Sequence, residues 1–332
     1  MKLFLLLFCL ISHSLLAFNL KEKLQKAESG TYVVTEHNHM ISLLHLHTIK
    51  EGIILFEDVN IPTHFVHHTD WKEWLESGAP GHTSWVLYEV DLHRNYITEC
   101  YSLSSKTWIT KDNIESFFIP FLNLNLTYLS EAQRMRSTPS MAGQLSDTPW
   151  APPQTFHGKK MINPQYDVYT AMWPHDHTKL SGKQIVFYFD KMREKFPFPY
   201  WVQLHEGVCK FRMRALDSGI GLRSPVNDIP RRAPVFIGGV EQKNRMVTLS
   251  LNMPTYYDRC KLYAIDFTES SHLSHIIPFE IKREKEQATL LIEESVLASR
   301  LFKEHEYLWV LVAENPNIVV EHPQLFKWNV DN

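Results

Sequence analysis

Cysteine is scarce in this chain. The 332 residues hold four, and Cys9 falls inside an apolar run near the N-terminus. The others, Cys100, Cys209 and Cys260, are too few and too scattered for a disulfide-framework scaffold. Each reads as a small buried hydrophobe, because a cysteine nucleophile needs a positioned histidine and a polar setting that the flanking residues do not supply. Glycine is also sparse, at 12 residues, and the motifs that carry chemistry on glycine are missing. There is no Gly-x-Ser-x-Gly elbow, no phosphate-cradling loop and no His-Glu-x-x-His helix, so no catalytic residue is assigned. After the N-terminal run, no apolar stretch is long enough to cross a membrane. Neither sign of charge dominates: 34 basic residues against 37 acidic ones give a net charge of −3, which excludes nucleic acid as the partner.

What the chain does have begins with an export signal. Lys2 supplies a positive start, LFLLLFCLISHSLL is apolar but short, and Ala17 is a small residue at a cleavage position. Residues 1–17 therefore read as a secretory signal peptide, which makes the protein exported: periplasmic, envelope-associated or secreted.

Downstream, the patterning predicts a mainly β protein, an α+β N-terminal region plus a C-terminal β-sandwich. Residues 18–136 form the first β-rich α+β region. A helix over LKEKLQKAES ends at Gly30, and strands follow with turns near Glu36–Asn38 and Lys50–Gly52. Asp70 caps a short helix, and SWVLYEVDL and NYITECYSL pair as a hairpin with Val86, Tyr88, Val90 and Leu92 on one face. Asp112 and Glu115 spell a second capping box. The helix it opens turns Ile114, Phe117, Phe118, Phe121 and Leu122 to the core and is kinked or ended by Pro120. Asn125-Leu126-Thr127 is a glycosylation sequon, meaningful in a eukaryotic secretory pathway. Residues 137–165, rich in Ser, Thr, Pro and Gly, read as a linker or long loop. Residues 166–230 continue the β-rich region, with strands at Tyr166–Trp173, Gln184–Asp190 and Cys209–Leu216.

The segment 231–332 is more specific. Val247, Leu249 and Leu251 alternate before Pro254, and Leu301 precedes a run with Tyr307, Trp309, Leu311, Ala313 and Asn315 at every second position. Over about residues 233–330 this pattern resembles a fibronectin type III or related immunoglobulin-like sandwich. The resemblance implies that the Tyr307 hydroxyl bonds back upstream at a corner while Leu301 and Trp309 join the apolar row between the sheets. Leu251 stands where that family often carries Trp.

Two sets of side chains suggest chemistry. Lys210, Arg212 and Arg214 alternate along one strand, giving a cationic face that Trp173, Tyr200 and Trp201 could complete as a ligand surface. Three His-x-His pairs, His37/His39, His45/His47 and His175/His177, each put two imidazoles on one strand face, and Asp176 makes the third pair the best metal candidate. The reading that follows is an exported, non-enzymatic envelope protein binding a protein, glycan or amphiphilic (lipid) ligand, with no cofactor. A metal-assisted hydrolase using zinc on the His pairs is the second reading, and a periplasmic lipid carrier with an aromatic-lined β cavity is the third.

Overall fold

A computed structural model describes residues 18–66, 70–137, 150–204, 211–268, 272–314 and 317–329. The expected signal peptide lies outside these residues, as do Cys209, Lys210, Asn315 and most of the Ser/Thr/Pro-rich stretch. With 47% strand against 12% helix, the molecule is mainly β. It divides into two compact units, Met1–Ile229 and Pro230–Asn332.

The first unit is built on one antiparallel sheet of 11 strands. Strands β1 (Tyr32–His37), β2 (Met40–Lys50), β3 (Ile53–Pro62), β4 (Ser84–Asp91), β5 (Tyr96–Ser102) and β6 (Thr107–Trp108) form a meander. β7 (Thr127–Tyr128) and the two-stranded hairpin of β8 (Thr155–Phe156) and β9 (Lys159–Lys160) come next in the chain. A second meander follows: β10 (Tyr166–Met172), β11 (Gln184–Asp190), β12 (Trp201–Leu204) and β13 (Arg212–Gly219). Its last strand, β13, pairs with β1, so the two meanders fuse into the order β6-β5-β4-β3-β2-β1-β13-β12-β11-β10-β7. Bulges between Val34 and Thr35, Leu46 and Thr48, and Glu89 and Val90 add local twist to this wide sheet.

Both faces of the sheet are covered. On one, Leu46, Phe56, Tyr88 and Val90 pack with Phe187 and Phe189 of the second meander and with helices α1 (Leu20–Gln25) and α3 (Asp112–Leu122). Tyr88, Val90 and Leu92 do share this core, with Val86 packed against it. On the other face, Val34, Leu43 and Val59 meet Trp71, Trp74 and Leu75 of helix α2 (Trp71–Glu76), while Leu55 and Leu87 meet Ile229. Gly30 joins these layers. Its amide donates to the Leu46 carbonyl, its carbonyl accepts from Leu222, and its φ of +86° with Gly221 close by leaves no room for a side chain.

Several local expectations need correction. α1 stops at Gln25, four residues before the expected end, because Lys26 already makes the cap. In α2, Asp70 accepts from the amides of Lys72 and Glu73 as expected of an N-cap. In α3, by contrast, the helix begins at Asp112 and Lys111 stands at the cap, its side chain making no capping bond and donating instead to the Thr98 carbonyl at 3.0 Å. Pro120 does not end α3, which runs on to Leu122, and Phe117 is exposed rather than core-facing. A fourth helix, α4 (Glu131–Ser137), follows β7. Residues 150–165, expected as part of a linker or long loop, are tied to the sheet. The His157 amide donates to Ser218, Gly158 donates to the Asp217 carboxylate, and Gln154 donates to Asp190.

The second unit is a two-sheet β structure around one core. One sheet orders β14 (Val235–Lys243), β15 (Met246–Asn252), β19 (Gln287–Glu293) and β18 (Glu280–Glu284). The other orders β17 (Ser274–Ile277), β16 (Cys260–Asp266), β20 (Glu306–Ala313) and β21 (Ile318–Glu321), with β22 (Phe326–Lys327) also on β20. Val247, Leu249 and Leu251 point inward from β15, and Tyr307, Trp309, Leu311 and Ala313 from β20, as strand alternation requires. Helix α5 (Glu294–Ala298) contributes Leu297, and Leu301 joins the same core. The Tyr307 hydroxyl accepts from the Phe302 amide at 2.7 Å, five residues upstream.

Candidate functional site

The cationic strip is built where β12, β13 and β1 lie side by side. Arg214 is the cross-strand partner of both Trp201 and Glu36, and Arg212 is the partner of Gln203. Being two residues apart, the two arginines share a face, and both are exposed. Arg214 is engaged, since its guanidinium meets the Glu36 carboxylate at 2.5 Å. Arg212 instead lies over the Trp201 indole, 5.3 Å from the ring centroid. Among the described residues no carboxylate pairs with it. Trp201 donates its indole N–H to Gln203 at 2.9 Å, which fixes the ring beneath the guanidinium.

A residue not singled out from the sequence completes this surface. Trp150 sits edge-on against Trp201, with centroids 5.1 Å apart, and against Tyr188 at 5.7 Å. Trp201 is only 8% exposed, whereas Trp150 is 45% exposed. The ring that meets solvent is therefore the one from the Pro-flanked stretch TPWAPP, and a tryptophan among prolines was its only signal in the sequence.

Tyr200 and Trp173 do not join the strip. Tyr200 faces the opposite side of the strand from Trp201 and is buried, its hydroxyl 2.6 Å from Ser218 Oγ. Burial pushes its pKa up to about 12, against the opposing effect of the Ser218 and Gln154 hydrogen bonds. Trp173 is 2% exposed and stacks on Phe117 at 5.2 Å. Val168 is level with Tyr188 and Trp201 in the sheet, so Trp173 lies five residues, about 16 Å, farther along the strand direction. Lys210 falls outside the described residues.

The expected metal trio of His175, Asp176 and His177 is not assembled as a metal site. β10 ends at Met172, so His175 and His177 stand on a bend beyond it, where the strand alternation that would align their rings does not apply. Asp176 accepts from the Trp173 indole at 2.5 Å and from the Thr178 amide and hydroxyl at 2.8 and 2.7 Å. Desolvation pushes its pKa up, but these hydrogen bonds, helped by the neighbouring His177 charge, prevail and hold the carboxyl below its usual value. The carboxylate thus closes a tight turn and has few lone pairs to spare. His175 packs its ring against Gly182, and His177 is exposed to solvent. Among the described residues no group of three or more His, Cys, Asp or Glu is placed to hold a metal.

The other two pairs also depart from expectation. His37 lies on β1 with Nδ1 at the Arg212 carbonyl, 3.0 Å away, whereas His39 occupies the hairpin turn at positive φ. The His45/His47 pair is turned toward a covered face: His45 is fully buried and its Nδ1 meets Glu57.

A groove of about 610 Å³ opens where β10 outruns its two-residue neighbour β7. Ile119, Pro120, Leu124 and Met172 give it apolar walls, and Thr127 and Gln184 polar ones. None of the described residues lining it is aromatic or charged.

Comparison with known proteins yields a family model and a solved structure. No curated protein matches the chain. A solved structure of the hypothetical protein CT021 from Chlamydia trachomatis is similar at 17% identity and a TM-score of 0.49, covering 65% of this chain and 100% of that one. Residues 42–162, from β2 through β9, match the model of the family described as CT021 protein.

Proposed function

We propose that this is an exported, non-enzymatic binding protein of the cell envelope whose ligand is a glycan or amphiphile bearing an anionic group. One observation carries the reading: the exposed Trp150 ring packed on Trp201, beside an Arg212 guanidinium without a carboxylate partner among the described residues. A planar indole offers a face for a sugar ring or an acyl chain, and an adjacent guanidinium binds carboxylate or phosphate with a two-pronged fork. Gln203, held against Trp201, adds amide hydrogen-bonding capacity at the same place.

The second unit fits a spacer or adhesive module of immunoglobulin-like type. Two observations support this: lettered in chain order its sheets run A-B-E-D and C′-C-F-G, and the Tyr307 hydroxyl bonds back to the Phe302 amide as a tyrosine corner would.

Tryptophan fluorescence during titration with phosphatidylglycerol vesicles and with a uronic-acid oligosaccharide tests the reading, with phosphatidylcholine and a neutral oligosaccharide as controls. The expected result is saturable binding to one anionic ligand that weakens at least tenfold in Trp150→Ala and in Arg212→Gln. Undiminished binding in the double variant, or equal binding to the neutral controls, refutes it.

A further inference from the structure

A second site is built under the segment that covers β2, β3 and β4. His45 and Glu57 are cross-strand partners on β2 and β3, 1% and 0% exposed. The His45 Nδ1–H donates to Glu57 Oε2 at 2.7 Å. The other carboxylate oxygen accepts from the Trp85 indole N–H at 2.9 Å and from the Ser224 hydroxyl at 2.6 Å. Two residues on, His47 donates its Nε2–H to the Val226 carbonyl at 2.6 Å, an acceptor that fixes which nitrogen carries the proton. The two imidazoles are neighbours, with ring centroids 5.7 Å apart and planes 50° to each other.

Each ring is left with one buried nitrogen that has no partner: Nε2 of His45 and Nδ1 of His47. Buried orphans of this kind cost free energy unless they have a partner. Glu57 is fully buried, and its partners are an imidazole, an indole and a hydroxyl, with no Lys or Arg among the described residues. One positive charge would neutralise it.

We propose that His45 Nε2 and His47 Nδ1 hold one monovalent copper ion, with Glu57 as the carboxylate that orients His45 and balances the charge. The surroundings have the form that metal-binding imidazoles require, because each ring gives its second N–H to a carboxylate or a backbone carbonyl and presents a free lone pair. Imidazole nitrogen suits copper, and rings whose centroids lie 5.7 Å apart are near enough for one ion to reach a nitrogen of each with bonds of about 2 Å. Zinc demands four ligands, and no third His, Cys, Asp or Glu joins this pair among the described residues. Monovalent copper, a closed-shell ion, accepts as few as two ligands, and its single charge matches that of Glu57.

Anaerobic titration of the whole chain with Cu(I) against a chromophoric chelator reads the stoichiometry, and X-ray absorption at the copper edge reads the ligand type. One equivalent with two nitrogen scatterers is expected, weakened at least tenfold in His47→Gln and unchanged in a His175→Gln/His177→Gln variant. Since His45→Gln also breaks the pair with Glu57 and endangers folding, imidazole ¹⁵N shifts of the unsubstituted protein supply the second readout, with Nε2 of His45 and Nδ1 of His47 both moving on addition of Cu(I). Sulfur scatterers, binding indifferent to His47→Gln, or unmoved imidazole shifts would each overturn the assignment and leave the two nitrogens to a buried water.

Discussion

Replacing Tyr307 by Phe isolates one oxygen atom. The ring is fully buried in the sandwich core and stays in place, so no cavity beyond the hydroxyl is created. What disappears is the bond accepted from the Phe302 amide at 2.7 Å and the long one donated to the Phe302 carbonyl at 3.4 Å. A hydrogen bond of the first kind is worth about 1 kcal/mol net, and stranding its buried partner adds up to about 1–3 kcal/mol. The Phe302 side chain is exposed, which lets water reach part of that backbone and places the expected loss at the lower end, about 1–2 kcal/mol. For a domain of about 100 residues each kcal/mol lowers Tm by about 4–8 °C, so the transition should fall by roughly 5–15 °C. Urea unfolding followed by tryptophan fluorescence measures the change, with the denaturant slope unaltered because the same surface is exposed. A loss below about 0.3 kcal/mol would refute the view that this hydroxyl holds the corner.

Four further outcomes are expected. A fragment spanning Pro230–Asn332 should fold cooperatively on its own, since its core draws only on residues of that unit; a fragment without dispersed amide resonances contradicts this. Gly52→Ala should destabilise the first unit by roughly 1 kcal/mol, the cost of a positive-φ substitution, because the exposed His93 ring that the added Cβ would meet can swing aside; a stability within about 0.3 kcal/mol of the parent argues against the turn geometry. Burial pushes the Cys100 thiol up to about 12, so iodoacetamide at pH 8 should leave it unmodified until urea unfolds the chain. The same shift sets a sign: the unfolded thiol ionises first, so stability should drop as pH rises from 9.0 toward about 12, and Cys100→Ala should flatten that drop.

Much of the fold was legible because it is written locally. The turns at residues 38–39 and 51–52 follow from the breaks in the apolar runs, and Asn38, His39, Glu51 and Gly52 all take the positive φ that tight hairpin turns need. The alternation of Val247, Leu249 and Leu251 with the row from Tyr307 to Ala313 marks two inward faces of one core. What could not be read is non-local. Nothing in the run of residues says that β13 returns to pair with β1 and joins two meanders into one sheet. The spelling of His175 and His177 was equally mute about where β10 stops, and without a strand beneath them the pair has no common face. Likewise, the proline- and serine-rich composition around Trp150 describes its backbone but not the indole it packs on, which lies 51 positions later at Trp201.

The buried histidine site shows how one extra residue decides what faces what. With the hairpin turn at Glu51–Gly52, Lys50 pairs Ile53, Ile49 pairs Ile54 and Thr48 pairs Leu55, so each pair of residue numbers sums to 103. An unbroken ladder would carry that register on and set His45 opposite Asp58. The bulge between Leu46 and Thr48 lowers the sum by one, pairing Leu46 with Phe56 and His45 with Glu57. Because strand side chains alternate, that single step moves Glu57 onto the histidine's face and gives Asp58 to the other, where it accepts from Ser42. His47, the residue left unpaired by the bulge, is thereby free to turn its ring toward the same covering segment and reach Val226. The His-x-His spelling thus names the imidazoles, but the carboxylate that orients one of them is selected by a register slip, and the hydroxyl that holds the carboxylate comes from Ser224, far along the chain.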